Sequence, residues 1–156
     1  MRLEQLSPVG ALWTVFALAK PLLDDQGRLQ TDDAGQPLAS CDFLDQLQAL
    51  EGTADEPDAG RILTLIDRMS QLPNGPRDLR IEISHEMFET SIDGKTVKFW
   101  RLRQGCLRVG FFYEAGRVII CTHCFVKRGN KVTQEEKAAA REAYASYQQY
   151  VIDTKE

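Results

Sequence analysis

The apolar residues in the first half of the chain recur at spacings that predict one strand followed by two helices. The short run Leu12–Leu18 is apolar, aromatic and β-branched, which favours a buried strand. Apolar residues three and four positions apart predict helices over Asp42–Leu50 and Asp58–Leu72. Between the strand and the first helix, Asp24–Ala39 is rich in Asp, Gly, Gln and Pro, which predicts a loop or a loose hairpin.

The second half of the chain predicts a meander of three strands followed by a helix. Apolar runs mark the strands and Gly-containing turns separate them, at Thr96–Arg103, Cys106–Tyr113 and Val118–Val126. The sequence Thr133-x-x-Glu136 is a capping box, and it starts a last helix that runs to about Val151. Before the meander, no more than a helical turn is predicted for Ser84–Ser91.

These elements follow in the order β-α-α-β-β-β-α, which predicts an α+β domain. We expect a small, mostly antiparallel sheet with the helices packed on one face. The length of 156 residues suits a single domain over 1–156, with an N-terminal extension and an acidic loop at about residues 1–40. The longest apolar-rich run, Val9–Leu23, contains Lys20 and Pro21 and falls short of the roughly 20 apolar residues that cross a bilayer. We therefore expect a cytoplasmic protein with no membrane partner.

The net charge of −4 conceals a division between the two halves of the chain. Residues 1–78 carry 6 Lys and Arg against 13 Asp and Glu, whereas residues 79–156 carry 13 against 10. Within the second half, residues 95–131 hold nine basic residues and a single acid, Glu114. Such a local excess of positive charge is expected of a surface that binds phosphates, although a solvated basic strand face has the same composition.

Cysteine and histidine offer few candidate sites. The pair in Cys121-Thr-His-Cys124 has the spacing of a zinc knuckle, but it lies in a predicted strand, where the two side chains would diverge. We therefore predict buried thiols, no metal and no cofactor. His85 lies in a polar stretch and is predicted to be solvated. The sequence has no glycine-rich phosphate loop, which argues against ATP chemistry.

His123 is the more informative histidine because of its predicted neighbour on the adjacent strand. A two-residue turn at Ala115-Gly116 would set Arg108 opposite His123, whereas a three-residue loop would set Arg108 opposite Thr122. An arginine beside a histidine on an open sheet face could hold a phosphate and move a proton. The alternative is a half-buried histidine whose hydrogen bonds are satisfied.

Three consecutive motifs resemble a known family. They are Phe99–Arg103 (FWRLR), Gly105–Tyr113 (GCLRVGFFY) and Val118–Arg128 (VIICTHCFVKR), and an Ala-rich helix capped by Thr133 follows them. In order and spacing they resemble the HigB/RelE superfamily of bacterial toxin–antitoxin toxins, especially its HigB-like, phage-derived branch. The resemblance covers about Phe43–Tyr150 and implies a RelE-like fold.

The resemblance implies a toxin that cleaves mRNA on the ribosome by metal-free RNase chemistry. The ribose 2′-hydroxyl would attack the adjacent phosphate, leaving a 2′,3′-cyclic phosphate and a 5′-hydroxyl. By position, Arg103, Arg108 and His123 would be catalytic, with Arg108 clamping the scissile phosphate and His123 moving a proton. The implied RNA-binding residues are Arg101, Lys127, Arg128 and Lys131.

Two other functions use the same fold. One is a non-enzymatic, ParE-like toxin that poisons DNA gyrase, and the other is a catalytically inert module that only binds an antitoxin. The implied partner is a helix-turn-helix antitoxin, which would itself bind operator DNA. The endoribonuclease would also bind the ribosome and mRNA. The acidic residues of 24–39 further suggest an autoinhibitory loop over Arg103 and Arg108, and a mobile, solvated loop is the alternative.

Overall fold

The computed structural model describes residues 2–127 and 131–155, which form one seven-stranded sheet and three α-helices. The strands are β1 (Arg2–Gln5), β2 (Thr14–Pro21), β3 (Ala39–Cys41), β4 (Ser84–Ile92), β5 (Lys95–Gln104), β6 (Leu107–Glu114) and β7 (Val118–Val126). The helices are α1 (Asp42–Gln48), α2 (Glu56–Ser70) and α3 (Gln134–Thr154), and a 3-10 turn spans Gly75–Asp78. The predicted α+β class is confirmed.

The strands lie in the order β1-β2-β7-β6-β5-β4, and β3 pairs with β2. The pairing of β2 with β7 is parallel, and the other strand pairs are antiparallel. The mostly antiparallel sheet is therefore confirmed, and the predicted meander corresponds to β5, β6 and β7. The parallel pair makes the N-terminal strands part of the same sheet as the meander.

Three strands are missing from the predicted element order because their sequence signals are weak. β1 has only four residues and β3 only three. β4 occupies the stretch where a helical turn was predicted, and that prediction is wrong. A bulge between Glu86 and Phe88 shifts the register of β4 on β5, so the apolar residues of β4 do not alternate regularly.

The helices cover both faces of the sheet. α1 and α2 pack on the face that carries Val109 and Ile119, whereas α3 packs on the opposite face, against Phe112 and Ile120. The central strands thus carry apolar side chains on both faces of the sheet, and helices bury both of these apolar faces. The predicted packing of all helices on one face is therefore wrong. No helix within residues 2–127 and 131–155 is long and apolar enough to cross a membrane.

Residues 22–38 form an exposed acidic arm built from two similar turns. The Oδ1 of Asp24 accepts hydrogen bonds of 2.9 Å from the backbone N–H groups of residues 26 and 28. Asp32 repeats this arrangement eight positions later, with residues 34 and 36. Pro21 and Ala39 pair across the base of the arm. A loop or one loose hairpin was predicted over 24–39, and the structure instead has two consecutive turns, closed by the bridges Leu23–Leu29 and Thr31–Pro37.

Candidate nucleic-acid interface

A cavity of about 170 Å³ lies where the sheet meets the start of α3, and three arginines line it. Arg101 and Arg103 stand two positions apart on β5 and therefore point to one face, and Arg108 of β6 pairs with Arg103. We call this the arginine cavity; its lining residues are His85, Met87, Arg101, Arg103, Arg108, Phe125, Lys127, Val132 and Glu136. Four of the seven predicted site residues thus meet at one place.

Arg108 is held firmly in the wall of the arginine cavity. Its side chain donates hydrogen bonds from Nη1 to the backbone oxygen of Gly105 at 2.7 Å and to that of Leu107 at 3.1 Å. The residue is only 6% exposed, so the expected position on an open sheet face is wrong. Burial and, next, the charge of Arg103 lower the pKa of Arg108.

Arg101 contacts His85, which was predicted to be solvated and is half-buried in the structure. Its Nη2 lies against the Nε2 of His85, the cross-strand partner of Arg101 on β4. The Nδ1 of His85 lies 2.7 Å from the backbone oxygen of Glu86. Burial, followed by repulsion from Arg108 and Arg103, lowers the pKa of Arg101 to about 10. The guanidinium groups therefore repel one another in a partly dehydrated site, as expected of a site that receives an anion.

The arginine cavity is lined by a carboxylate, that of Glu136, which forms an ion pair with Lys127. Lys127 Nζ lies 3.3 Å from Glu136 Oε2, and the two side chains are 9% and 13% exposed. Lys127 also donates to the backbone oxygen of Lys131. Glu136 completes the predicted capping box with Thr133 at the start of α3, which is confirmed. Because this carboxylate is paired with Lys127, the positive charge of the arginines is available to a ligand.

A comparison with protein families finds a match over residues 52–145 to the family described as phage derived protein Gp49-like (DUF891). The chain belongs to this family. Gp49-like proteins are a type II toxin family related to the RelE-like toxins. No curated protein shows a significant match. The matched region of this Gp49-like chain holds every residue of the arginine cavity, whereas the acidic arm lies outside it.

His123 does not line the arginine cavity in this Gp49-like protein. Its residue is 5% exposed, its Nδ1 lies 2.8 Å from Thr122 Oγ1, and its ring stacks on Phe125. The buried Nε2 has no hydrogen-bond partner among the described residues. Burial lowers the pKa of His123 to about 4, so the ring is neutral at pH 7. His123 instead borders a smaller cavity of about 80 Å³ whose lining includes Lys20, Asp42 and Glu142.

The register between β6 and β7 differs from both alternatives offered by the sequence. The loop between the strands has three residues, since Glu114 pairs with Val118, and a bulge then shifts the register by one residue beyond Phe111. Phe125 consequently lies opposite Arg108, and His123 lies opposite Gly110. The predicted pairing of Arg108 with His123 or Thr122 is therefore wrong. Gly110 is required here because a Cβ atom would lie 2.9 Å from the His123 ring.

The same bulge determines where the cysteines point. Cys121 and Cys124 both enter the core on the α1 and α2 side, together with Cys41, so their predicted divergence is wrong. Burial raises the pKa of each thiol, that of Cys124 to about 12. These cysteines are buried thiols, as predicted. Within residues 2–127 and 131–155, no three His, Cys, Asp or Glu side chains are grouped as metal ligands.

Lys131 is the remaining predicted RNA-binding residue that the structure describes. Lys131 is exposed just before α3, at the same end of the sheet as the arginine cavity. Arg128 lies outside the described residues. The acidic arm contributes no residue to the lining of the arginine cavity, so the described contacts do not place it over Arg103 and Arg108.

Proposed function

We propose that this Gp49-like protein is a HigB-like toxin that cleaves mRNA on the ribosome through the arginine cavity. The observation that carries the proposal is the convergence of Arg101, Arg103 and Arg108 on one cavity whose carboxylate is held by Lys127. Among the described residues these three guanidinium groups have no carboxylate partner, and permanently charged groups of this kind suit the phosphates of a nucleic acid. Membership of a type II toxin family supports the toxin part of the proposal.

In the proposed reaction the ribose 2′-hydroxyl attacks the neighbouring phosphate. The phosphorus gains a further oxygen in the transition state, and negative charge accumulates on its equatorial oxygens. Arg108 is already fixed by two hydrogen bonds to backbone oxygens, so it loses little freedom when it receives this charge. Arg103 is exposed beside it and can supply a second cation to the same phosphate. We therefore propose for Arg103 and Arg108 the catalytic role that the family resemblance implies.

Binding to the RNA backbone is proposed for the other basic residues that the resemblance indicates. Arg101, Lys127, Arg128 and Lys131 would contact phosphates flanking the cleaved one. The proton-transfer role assigned to His123 stays a prediction, and its buried ring would have to become accessible to fulfil it. We further propose a helix-turn-helix antitoxin as the partner that covers the basic surface, with operator DNA bound only through that antitoxin, and a cytoplasmic location.

The test is single-turnover cleavage of mRNA on programmed ribosomes, with the products identified by mass spectrometry. Wild-type protein should yield 2′,3′-cyclic phosphate and 5′-hydroxyl ends. Loss of one transition-state donor costs about 10²–10³ in rate, so Arg108→Ala should fall by that factor. Arg108→Lys should recover little, because an ammonium group cannot make the two-point contact of a guanidinium. Arg68→Ala removes an exposed arginine of α2 outside the cavity and serves as the matched control.

Circular dichroism on each variant separates lost chemistry from lost folding, which matters because Arg108 is buried. A folded Arg108→Ala protein that cleaves at the wild-type rate would contradict the proposed mechanism. Pulse labelling after induction tests the ParE-like alternative. Translation should stop first for an mRNA-cleaving toxin, whereas early arrest of DNA synthesis would favour a gyrase poison. Growth without arrest of either would favour an inert antitoxin-binding module.

A further inference from the structure

His85 lies at the edge of the sheet, where it borders two concave surfaces. It is half-buried on β4, directly opposite Arg101 of β5. On one side it lines the arginine cavity, and on the other it lines an open groove that includes Arg77, Trp100 and Tyr113. His85 is therefore the histidine that the fold brings next to the proposed phosphate site, whereas His123 is enclosed elsewhere.

The contacts of His85 fix which ring nitrogen carries the proton. The backbone oxygen of Glu86 can only accept, so Nδ1 must donate the hydrogen bond of 2.7 Å. The Nη2 of Arg101 can only donate, so Nε2 must be the accepting nitrogen with its lone pair toward Arg101. The ring is thus a neutral imidazole whose basic nitrogen is aimed at a cation of the arginine cavity.

We propose that His85 accepts the proton of the attacking 2′-hydroxyl, and that Arg101 occupies its Nε2 until a bound phosphate draws the guanidinium away. This inference rests on the proposed function. A phosphate oxygen carries negative charge whereas the imidazole nitrogen is neutral, so the cationic guanidinium is attracted more strongly to the phosphate. Arg101 therefore turns to the phosphate, and the lone pair of His85 becomes free in the same event.

The reaction needs two proton transfers, one from the 2′-hydroxyl to His85 and one from water to the 5′-oxygen. The 2′-hydroxyl proton passes to His85 Nε2 while the 2′-oxygen forms its bond to phosphorus. The bond from phosphorus to the 5′-oxygen breaks, and that oxygen takes a proton from water. The protonated imidazole of His85 then returns its proton to the hydroxide that remains, which restores the starting tautomer.

The backbone hydrogen bond of His85 prepares it for this role. A general base has to present its lone pair in a fixed direction, and the Nδ1–H bond to Glu86 limits rotation of the ring. The guanidinium of Arg101 keeps Nε2 from binding other donors in the free protein. In the absence of RNA, Arg101 and His85 therefore bind each other. When a phosphate occupies the site, Arg101 binds the phosphate and His85 Nε2 becomes free to accept a proton.

Two substitutions of His85 separate a base from a residue that only positions Arg101. The amide oxygen of His85→Gln can still accept from Arg101, but it cannot take up a proton at neutral pH. His85→Ala loses both properties. If His85 is the base, both variants should cleave about 10²–10⁴-fold more slowly in single-turnover assays on programmed ribosomes. Glu86→Gln changes an exposed neighbour without touching the backbone acceptor and serves as the control.

Two further measurements identify the step that is lost. Affinity for ribosomes carrying mRNA with a 2′-deoxy scissile nucleotide should stay close to the wild-type value for His85→Gln, since binding is unaffected. An mRNA with sulfur in place of the 5′-bridging oxygen has a leaving group that needs no proton. This substrate should not restore cleavage by His85→Gln, because the missing function is proton removal from the 2′-hydroxyl.

Each possible outcome is decisive. Cleavage by His85→Gln at the wild-type rate would overturn the proposal and assign His85 the positioning of Arg101 alone. Recovery of the variant on the sulfur substrate would overturn it in favour of proton donation to the leaving group. Wild-type protein that does not cleave mRNA at all would overturn the proposed function itself, and the role of His85 with it. Slow cleavage by both variants on both substrates, with intact binding, would support the assignment.

Discussion

Burial of His123 as a neutral ring predicts that acid destabilises this protein more than its carboxylates alone would. In the unfolded chain an ordinary histidine has a pKa of 6.5, whereas burial lowers the folded pKa of His123 to about 4. Between these two values the unfolded state binds a proton that the folded state does not. The stabilising contribution is therefore fully present above the higher pKa and disappears as the pH falls toward the lower one.

The size of the effect follows from the two pKa values. Relative to pH 7, the free energy of unfolding should fall by about 2 kcal/mol at pH 5 and about 3 kcal/mol at pH 4 through His123 alone. Whole domains are stable by only about 5–15 kcal/mol, so the loss is readily measurable. Salt should change it little, because desolvation of the ring is its main cause.

The assay is urea denaturation of wild-type protein and His123→Asn at pH 7 and pH 5. The asparagine amide can keep a hydrogen bond to Thr122 Oγ1 but does not titrate in this range. Other groups titrate in both proteins, so the difference between their pH-dependent losses isolates His123. NMR titration of the ring protons should give the same low pKa directly. Parallel loss of stability in the two proteins would refute the burial argument. If His85 rather than His123 is the base, His123→Asn should cleave mRNA at close to the wild-type rate, whereas a loss of about 10²–10⁴ would favour His123.

Two further predictions concern the charges around the arginine cavity. Arg103→Ala should reduce the slope of log K for RNA binding against log salt concentration by about 0.7–0.9. Lys127→Ala should reduce this slope by less, because Glu136 already neutralises Lys127. Equal reductions of the slope for the two variants in filter-binding titrations would contradict this prediction. Replacing the arm at 22–38 by Asn-Gly, a two-residue turn between cross-strand partners, should leave RNA affinity and salt slope unchanged. Tighter binding after this replacement would instead support the autoinhibitory loop.

The elements with strong local signals were predictable from the sequence. The capping box at Thr133 satisfies backbone groups within one turn, so its sequence pattern alone identifies the start of α3. The meander was predictable because Gly-containing turns separate long apolar strands. β4 was not, since an edge strand needs fewer apolar residues and its bulge interrupts the alternation. The location of His85 depended on that strand, so its contact with Arg101 could not be foreseen.

The candidate site was predictable in its residues and less so in its geometry. Arg101 and Arg103 share a face because strand periodicity is fixed, and that much follows from sequence. The partner of Arg108 depended on loop length and on a bulge, and neither has a unique sequence signature. The three-residue loop and the extra residue at the bulge together moved His123 away from Arg108, and the bulge turned Cys121 and Cys124 toward the same core. The burial of His123 also depended on helices distant in sequence.

Residues that precede the family match contact β7 on both sides of its bulge and so stabilise the register of β6 and β7. β2 pairs in parallel with Val118–Cys121 of β7, directly before the bulge. In α1, Gln46 accepts a hydrogen bond of 2.7 Å from the backbone N–H of Cys124, just after the bulge. The bulge is thus held on both sides by residues that precede Gly52, where the family match begins. Since the bulge sets Phe125 opposite Arg108, the N-terminal segment shapes the arginine cavity without lining it.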